Sequence, residues 1–285
     1  IYDVTELCTA LKPWLLETLL LDHEVAIYLD PDIEVYDALD SAAIAALEHS
    51  IALTPHVLEP IPRDGLEPTD VQVMSAGTFN LGFIGISRSA DGLLRFWKER
   101  LRRDAISAQD QNLFTDQRWI DNVPALFHHT VLRDETLNVA YWNVFQRKLE
   151  IDADGRPRVH GAPAGFYHFS GYSPDTPWLL SKHFADRARV LLSAHPDLRR
   201  LCDIYGASLR AARAAAGGLA DAPYGWARMA NGRPLTIALR RYVRAALIEA
   251  EAAGSTPPPM PLAGDGSAFV EWMLGYPSAA GKAAR

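Results

Sequence analysis

The stretch that decides the fold is residues 25–35, which read Val-Ala-Ile-Tyr-Leu-Asp-Pro-Asp-Ile-Glu-Val. Its first five residues are apolar and have the length of a strand. An unbroken apolar strand is typical of a parallel sheet that helices cover on both faces. Asp30 and Asp32 follow at the carboxyl end of this strand, which is where open α/β sheets bind their ligands. We therefore expect a buried strand that carries two carboxylates into a site.

Helices and strands alternate on both sides of this stretch. Asp3 and Glu6 have the spacing of a capping box, and apolar residues then recur with a helical period up to Leu19. Thr115 is expected to cap a further helix. Because hairpins are mixed with crossover helices, the pattern predicts an α/β fold with a mixed sheet flanked by helices. The other predicted elements are helices over 42–49, 92–103 and 115–120, strands over 51–54, 79–87, 130–132, 139–142 and 165–170, and a hairpin over 148–160.

The composition changes after residue 183, where the sequence becomes helical and rich in Ala and Arg. A proline-rich stretch over 254–259 then separates one last short helix. The sequence thus predicts a catalytic domain over 1–183, a helical appendage over 184–253, and a linker with a terminal short helix over 254–285. Because residue 1 is Ile and a helix follows almost at once, we expect an internal fragment of a longer polypeptide with further domains.

The composition excludes several classes of protein. The chain has 285 residues, of which 48% are hydrophobic, and its formal net charge is −7. This balance is unlike that of a disordered chain, and it lacks the basic excess with which proteins bind nucleic acid. Cys8 and Cys202 are the only cysteines, so a disulfide framework and a cysteine-built zinc site are excluded. The low cysteine count leads us to expect a reducing, cytoplasmic setting. No apolar run reaches the ~20 residues of a membrane span.

The acidic pair after the apolar strand is the sharpest sign of chemistry. Carboxylates at positions i and i+2 of an extended chain can converge on one hard cation, and Pro31 stiffens the turn between them. Mg²⁺ and Mn²⁺ take such oxygen ligands and keep positions open for phosphate oxygens. An acidic surface turn without a metal is the alternative interpretation, and the spacing alone does not decide between the two.

Four segments in order resemble GT-A-fold nucleotide-sugar glycosyltransferases, especially family 8-like enzymes. Residues 27–35 look like the Asp-x-Asp segment of that group, and residues 79–83 resemble its Phe-Asn-Ser-Gly strand. Thr115-Asp116-Gln117 resembles its Asp-Gln segment. Residues 166–171, followed by Pro177-Trp178, resemble the last segment of that pattern, His-Tyr-x-Gly followed by Lys-Pro-Trp. Thr176 stands in place of the Lys. The resemblance covers roughly residues 5–183.

The resemblance implies a role for each matching residue. Structural interpretations remain open beside these roles: a sheet histidine, a buried strand asparagine bonded to backbone, a favourable acid at a helix start, and a solvated helix start. The implied metal ligands are Asp30, Asp32 and His168 for Mn²⁺ or Mg²⁺, the implied donor-binding residues are Lys182, His183 and Gly171, and the implied catalytic residues are Asn80, Asp116 and Gln117.

The implied function is transfer of a sugar from a nucleotide-diphosphate donor to a glycan or lipid-linked acceptor with retention of configuration. The resemblance also implies that nucleotide-binding βαβ units precede the Asp-x-Asp strand. Polysaccharide assembly in a bacterial cytoplasm, with peripheral contact at the inner face of the membrane, fits this function. One alternative is a non-catalytic glycosyltransferase-like module of a larger polypeptide. The other is a phosphatase-like hydrolase with Asp30 as nucleophile and Gly264-Asp265 as its second acidic loop.

Overall fold

The structure is a computed structural model that describes residues 1–184 and 186–275. The part of the predicted segment 254–285 that follows Gly275 lies outside the described residues. The α-helices are, in chain order, α1 (Val4–Ala10), α2 (Lys12–Asp22), α3 (Asp40–His49), α4 (Asp70–Ala76), α5 (Asp91–Leu101), α6 (Gln117–Ile120), α7 (Val123–Leu126), α8 (Pro196–Ala216), α9 (Ile237–Ala253) and α10 (Ser267–Gly275). The strands are β1 (Val25–Leu29), β2 (Ile33–Val35), β3 (Ile51–Pro55), β4 (Phe79–Ser87), β5 (Ser107–Ala108), β6 (Leu113–Phe114), β7 (Thr130–Val131), β8 (Val139–Ala140), β9 (Leu149–Ile151), β10 (Pro157–Val159), β11 (Ala162–Pro163) and β12 (Phe166–His168).

The central sheet has the strand order β1-β4-β3-β7. β4 runs antiparallel to β1 and β3, whereas β3 and β7 are parallel, so the predicted α/β fold with a mixed sheet is confirmed. All nine residues of β4 are buried, but only Ala26 is buried in β1. The expectation that residues 25–29 form a parallel strand covered on both faces is therefore wrong. An apolar run is also compatible with an antiparallel strand at the edge of the described sheet, because strand direction depends on the pairing partner.

Helices cover both faces of the central sheet. On one face, Leu16 of α2 and Trp97 of α5 pack with Ile84 of β4 in a buried apolar cluster. On the other face, Ala42 of α3 packs with Phe83. Successive strand residues point to opposite faces, so Phe83 and Ile84 serve the two layers separately. The result is a sheet between two helical layers, which leaves the strand ends free to carry polar residues.

A second sheet, β2-β12-β8, joins the turn after β1 to the distant segment 166–168. β12 is antiparallel to β2, with His168 opposite Ile33, and parallel to β8. The backbone N–H of Phe169 donates to the carbonyl oxygen of Asp32 at 2.8 Å. This register places His168 beside the acidic turn. The predicted hairpin is also confirmed, as antiparallel β9 and β10.

The C-terminal helices pack on the rest of the chain. The rings of Phe169 and Tyr205 of α8 stack with their centroids 3.7 Å apart. The Arg241 guanidinium of α9 pairs with the buried Glu6 carboxylate of α1. The domain division at residue 183 stays a prediction beside these contacts. None of the helices within residues 1–184 and 186–275 combines the length and the apolar character that a membrane crossing requires.

Two details of the predicted helices differ from the structure, although the capping box at the start of α1 is confirmed. The helical period is broken between Ala10 and Lys12, because Pro13 fits only the first turn of a new helix. Thr115 does not cap α6, which begins two residues later. Its backbone is left-handed, with φ 47°, and its hydroxyl donates to Asp116 Oδ1 at 3.1 Å.

Candidate metal and nucleotide-sugar site

Three side chains from two distant segments converge beyond the end of β1. The Nε2 atom of His168 lies 3.0 Å from Asp32 Oδ1 and 4.0 Å from Asp30 Oδ2. One ligand atom of each residue lies within 4.8 Å of the others. The His168 side chain is 4% exposed, whereas those of Asp30 and Asp32 are 26% and 41% exposed. The cluster therefore has a buried imidazole at its base and an open side formed by carboxylates.

The acidic turn is held from several directions. The backbone N–H of Asp30 donates to the Gly82 carbonyl oxygen at 2.8 Å, and that of Ile33 donates to Asp30 O at 3.0 Å. The Tyr28 hydroxyl donates to Asp30 Oδ1 at 2.9 Å. These bonds fix one carboxylate oxygen of Asp30 against the protein. The other oxygen, Oδ2, is the one that faces His168.

β4 holds the His168 ring in place from below. A Cβ atom at Gly82 would lie 2.4 Å from Cε1 and 2.6 Å from Nδ1 of His168, so only glycine fits there. Asn80 Oδ1 lies 3.1 Å from His168 Nδ1. Nδ1–H donates to this oxygen, so Nε2 is the ring atom that faces the carboxylates. Nε2 donates to Asp32 when it carries a proton and offers its lone pair to a cation when it does not. The ring of Trp142 contacts His168 edge-on, with the centroids 5.2 Å apart.

The charge of Asp32 depends on His168. Partial burial raises the pKa of the Asp32 carboxyl, but the hydrogen bond and the charge of His168 outweigh it and lower the pKa below its usual value. Asp32 is therefore ionised at neutral pH. Two carboxylates and one imidazole are a donor set that suits Mn²⁺ or Mg²⁺, with open positions for further oxygen ligands. This makes the cluster a candidate cation site.

Beside the cluster lies a buried ion pair that sequence reasoning missed. The Lys12 side chain is 2% exposed, and its Nζ lies 3.0 Å from Asp116 Oδ2 and 3.3 Å from Asp30 Oδ1. Nζ also donates to Leu81 O at 2.8 Å. Burial lowers the pKa of the Lys12 ammonium, but the two carboxylates outweigh it and raise the pKa, so Lys12 is charged. Its spacing of four residues from Leu16 was the available signal, because it places Lys12 on the buried face of α2.

Asp116, Gln117 and Asn80, the predicted catalytic residues, all line the same pocket. Asp116 is 2% exposed and pairs with Lys12. Gln117 accepts a hydrogen bond from the Leu81 N–H at 2.9 Å and donates to a carbonyl oxygen of α4 at 2.9 Å. Both ends of its amide are thus bound to backbone. Asn80 contacts the His168 ring and is a positioning residue in this arrangement.

His56 is a second pocket residue that sequence reasoning missed. It follows β3 directly, is 6% exposed, and its Nε2 lies 3.4 Å from Asn80 Nδ2. Its Nδ1 lies 3.3 Å from the Thr78 carbonyl oxygen. Burial lowers the pKa of His56 to about 4, so its imidazole is neutral at neutral pH. The position of His56 directly after a strand could have marked it as a site residue. It was missed because it lies in the proline-rich stretch 55–69, which has the composition of a loop.

The three predicted donor-binding residues lie in two segments that meet, Gly171 after β12 and Lys182-His183 further along the chain. Gly171 has φ +73°, and a Cβ there would lie 2.5 Å from Ser181 Oγ and 2.6 Å from His183 Cδ2. The Lys182 N–H donates to Gly171 O at 3.0 Å. Both Lys182 and His183 are exposed, and of the two only His183 is among the residues that line the pocket. Gly171 therefore allows the turn that brings His183 to the pocket.

The pocket has a volume of about 530 Å³, and most of the residues that line it carry polar side chains. Its floor holds Asp30, Asp32 and His168, and α1, α4, β4 and the turn around His183 form its walls. Further polar side chains in the lining are those of Thr5, Thr9, Gln72, Ser75, Gln109, Thr115 and Ser170. Such a lining offers many hydrogen bonds to a ligand that carries hydroxyl and phosphate groups.

Comparisons with known proteins add relatives at low identity. No family model matches the chain. The chain is 29% identical over 177 residues to "Uncharacterized protein YfnF" and 28% identical over 180 residues to "Uncharacterized protein YfnD", both of Bacillus subtilis (strain 168). The matches cover 60% and 59% of this chain and 58% and 54% of the relatives, so the chain spans little more than half the length of the curated relatives it matches.

One solved structure is similar in part. It is described as the crystal structure of a glycosyltransferase involved in the glycosylation of the major capsid of PBCV-1. The TM-score is 0.40 at 14% identity, and the similarity covers 61% of this chain and 74% of that chain.

Proposed function

We propose that this protein is a metal-dependent glycosyltransferase that moves a sugar from a nucleotide-diphosphate donor to a glycan or lipid-linked acceptor. One observation carries the proposal: Asp30, Asp32 and His168 present their ligand atoms within 4.8 Å of one another on the floor of a polar pocket. The four sequence segments that resemble family 8-like enzymes contribute these residues and part of the pocket wall. The resemblance also supports a retaining reaction, in which a phosphate oxygen of the donor helps to deprotonate the acceptor.

Each side chain has a task in this proposal. Asp30, Asp32 and His168 hold Mn²⁺ or Mg²⁺, and Asn80 keeps the His168 lone pair turned toward the carboxylates. When bound, the cation neutralises negative charge on the departing diphosphate. His183 at the pocket wall donates a hydrogen bond to the same group. Lys182 beside it supplies a flexible positive charge.

Asp116 serves the transferred sugar in this proposal, while Gln117, whose amide is bound to backbone at both ends, holds β4 beside it. Because Lys12 neutralises Asp116, this carboxylate acts as a hydrogen-bond acceptor for hydroxyl groups and not as the general base. The proposal includes polysaccharide synthesis in the cytoplasm, on an acceptor at the inner face of the membrane.

The phosphatase-like alternative finds little support in the geometry. Its second acidic loop would be Gly264-Asp265. The Asp265 carboxylate accepts hydrogen bonds from the Ser267 N–H at 3.0 Å and from the Ser267 hydroxyl at 2.7 Å. It thus caps the first turn of α10 and is not among the residues that line the pocket.

Metal titration tests the proposal. We expect Asp32→Asn to weaken Mn²⁺ binding by more than about 100-fold, since loss of a mere supporting group already costs about 10–100-fold. Metal-dependent release of nucleoside diphosphate from a panel of nucleotide sugars should fall with it. Asp22→Asn, at the exposed end of α2, is the matched control and should leave both unchanged. The circular dichroism spectrum should be the same in all three proteins.

Three results would contradict the proposal. Unchanged Mn²⁺ affinity in Asp32→Asn would show that Asp32 is not a metal ligand. Tight Mn²⁺ binding without release of nucleoside diphosphate from any nucleotide sugar would favour the non-catalytic module. Release of free phosphate from a generic phosphoester would favour the hydrolase.

A further inference from the structure

One buried carboxylate connects two walls of the pocket to the C-terminal helix α9. It belongs to Glu6 of α1, whose side chain is 2% exposed. Thr5 and Thr9 of the same helix line the pocket, whereas Glu6 is not among the lining residues. An effect of Glu6 on a ligand is therefore exerted through the groups that its carboxylate binds.

The first of these groups is the base of the hairpin formed by β5 and β6. The N–H of Ser107, at the start of β5, donates to Glu6 Oε1 at 2.9 Å. The two strands pair with Ser107 opposite Phe114, and the Thr115 N–H then donates to the Ile106 carbonyl oxygen at 3.0 Å. The pocket-lining residues of this segment are Gln109, Phe114 and Thr115. Glu6 thus fixes the point from which this wall of the pocket begins.

The second group is the guanidinium of Arg241 on α9. Its Nη1 donates to Glu6 Oε2 at 3.1 Å, and its Nη2 pairs with Glu6 Oε1. The Asp3 N–H also donates to Oε2, at 3.2 Å. Burial raises the pKa of the Glu6 carboxyl, but the hydrogen bonds that it accepts outweigh burial and lower the pKa. Glu6 is therefore ionised, and without Arg241 a buried negative charge would lack its counter-charge.

A second arginine of α9 forms a comparable pair that does not reach the pocket wall. Arg244 lies one turn further along α9, binds the Asp104 carboxylate, and donates from Nε to the Arg103 carbonyl oxygen at 2.7 Å. Within residues 1–184 and 186–275, the hydrogen bonds of the Asp104 carboxylate go to Arg244 and none goes to the β5–β6 hairpin. Both arginines dock α9, but of the two only Arg241 is linked to the pocket walls.

We propose that Arg241 is a positioning residue for the pocket: through Glu6, it holds α1 and the β5–β6 hairpin at the separation at which the nucleotide-sugar donor binds. The inference rests on the proposed function. A wall that is fixed beforehand loses little conformational freedom when a ligand binds, whereas a loosened hairpin must first be ordered. Substitution of Arg241 should therefore weaken donor binding. The metal cluster should be unaffected, because β1, β4 and β12 hold it in place.

Hydrogen exchange followed by mass spectrometry tests the positioning step on the full chain without any substrate. We expect Arg241→Met to speed amide exchange in the segment 105–116, because the Ser107 N–H loses an acceptor that is held in place. Arg244→Met is the matched control and should leave this segment close to the rate of the unsubstituted chain. The buried strand β4 is the internal reference and should exchange equally in all three proteins.

Steady-state kinetics tests the consequence for the donor. We expect Arg241→Met to raise the donor KM about tenfold, as for the loss of one hydrogen bond to a charged group, with kcat and Mn²⁺ affinity nearly unchanged. Arg244→Met should leave the donor KM nearly unchanged. A role in docking α9 alone would lower the folded fraction, and hence the apparent kcat, without a change in KM. Arg241→Lys keeps the charge but not the paired hydrogen bonds, so its donor KM should be intermediate.

The outcomes separate this inference from the proposed function. Equal exchange of the segment 105–116 in the Arg241→Met and Arg244→Met variants overturns it, and so does faster exchange spread over the whole chain. If Arg241→Met does not fold, Arg241→Lys and Arg244→Lys form the matched pair for the same comparison. An unchanged donor KM in the Arg241 variants also overturns the inference. If no nucleotide sugar is turned over, the proposed function fails, and the exchange experiment still decides whether Arg241 holds the hairpin.

Discussion

Two charged clusters share the floor of the pocket, and they differ in how their charges are satisfied. Lys12 and Asp116 are each 2% exposed and neutralise one another. Asp30 and Asp32 are partly exposed. They face His168 and the Lys12 ammonium, which lies 3.3 Å from Asp30 Oδ1 but is already neutralised by Asp116. The sealed pair needs no ligand, because each charge has its partner. The open cluster has unused oxygen lone pairs directed at one point, which is the property of a cation site.

The largest effect is expected from breaking the sealed pair. Lys12→Met removes the ammonium and leaves the Asp116 carboxylate buried without its partner. We expect a loss of about 3–5 kcal/mol in the free energy of unfolding, the usual cost of an uncompensated buried charge. Urea denaturation measures this change.

The double variant Lys12→Met/Asp116→Leu is the control for this prediction. It removes both charges and should recover much of the lost stability. Asp32→Asn, in the open cluster, should change the free energy of unfolding far less than Lys12→Met. Equal losses in the two single variants would contradict the distinction between a sealed and an open cluster.

A second prediction concerns pH, through His56 on the pocket wall. Its pKa is lowered to about 4 by burial, so the folded protein keeps it neutral while the unfolded chain protonates it near its usual value of 6.5. The unfolded state therefore binds more protons between these values, and stability falls as the pH drops from 6.5 to 4. We expect this residue to contribute a decrease of about 3 kcal/mol over that range.

His56→Gln isolates this contribution. Denaturation curves at a series of pH values should show a shallower decrease in stability for the variant than for the unsubstituted chain. The lowered pKa of Asp32 acts in the same direction but at lower pH, so the two effects are separable. Parallel pH profiles for both proteins would contradict a buried neutral His56.

Gly82→Ala is expected to have the smallest effect on stability but to lower the affinity for the metal ion strongly. Its Cβ would lie 2.4 Å from the His168 ring, so Gly82→Ala must displace the imidazole or shift β4. We expect a stability loss of about 1–3 kcal/mol from overpacking. Mn²⁺ affinity, measured by calorimetry, should fall about 10–100-fold because the ligand is no longer oriented.

Gly92→Ala is the matched control for this substitution. Gly92 lies in α5, and a Cβ there meets only Phe127, at 3.5 Å. This change should leave Mn²⁺ binding intact and should not lower stability, because alanine favours the helix. Unchanged metal affinity in Gly82→Ala would argue that His168 is not a ligand.

Local patterns in the sequence sufficed for many elements and for part of the site. The capping box at Asp3 and the apolar strand 79–87 depend on neighbouring residues, and both are confirmed. The acidic turn was recognisable because it directly follows an apolar run. The direction of β1 was not predictable, since the same apolar residues suit either direction and the partner strand decides between them.

The amino-acid sequence by itself determined the α/β pattern of elements, the polar character of the strand ends and the types of ligand available. The tertiary structure decided which of these side chains meet. Lys12 pairs with Asp116 because α2 packs against α5, whose Trp97 indole N–H donates to the Asp116 carbonyl oxygen. His168 reaches Asp32 because β12 pairs with β2. Spacing along the chain specifies local structure, whereas contacts between distant segments depend on how all the apolar faces are buried at once.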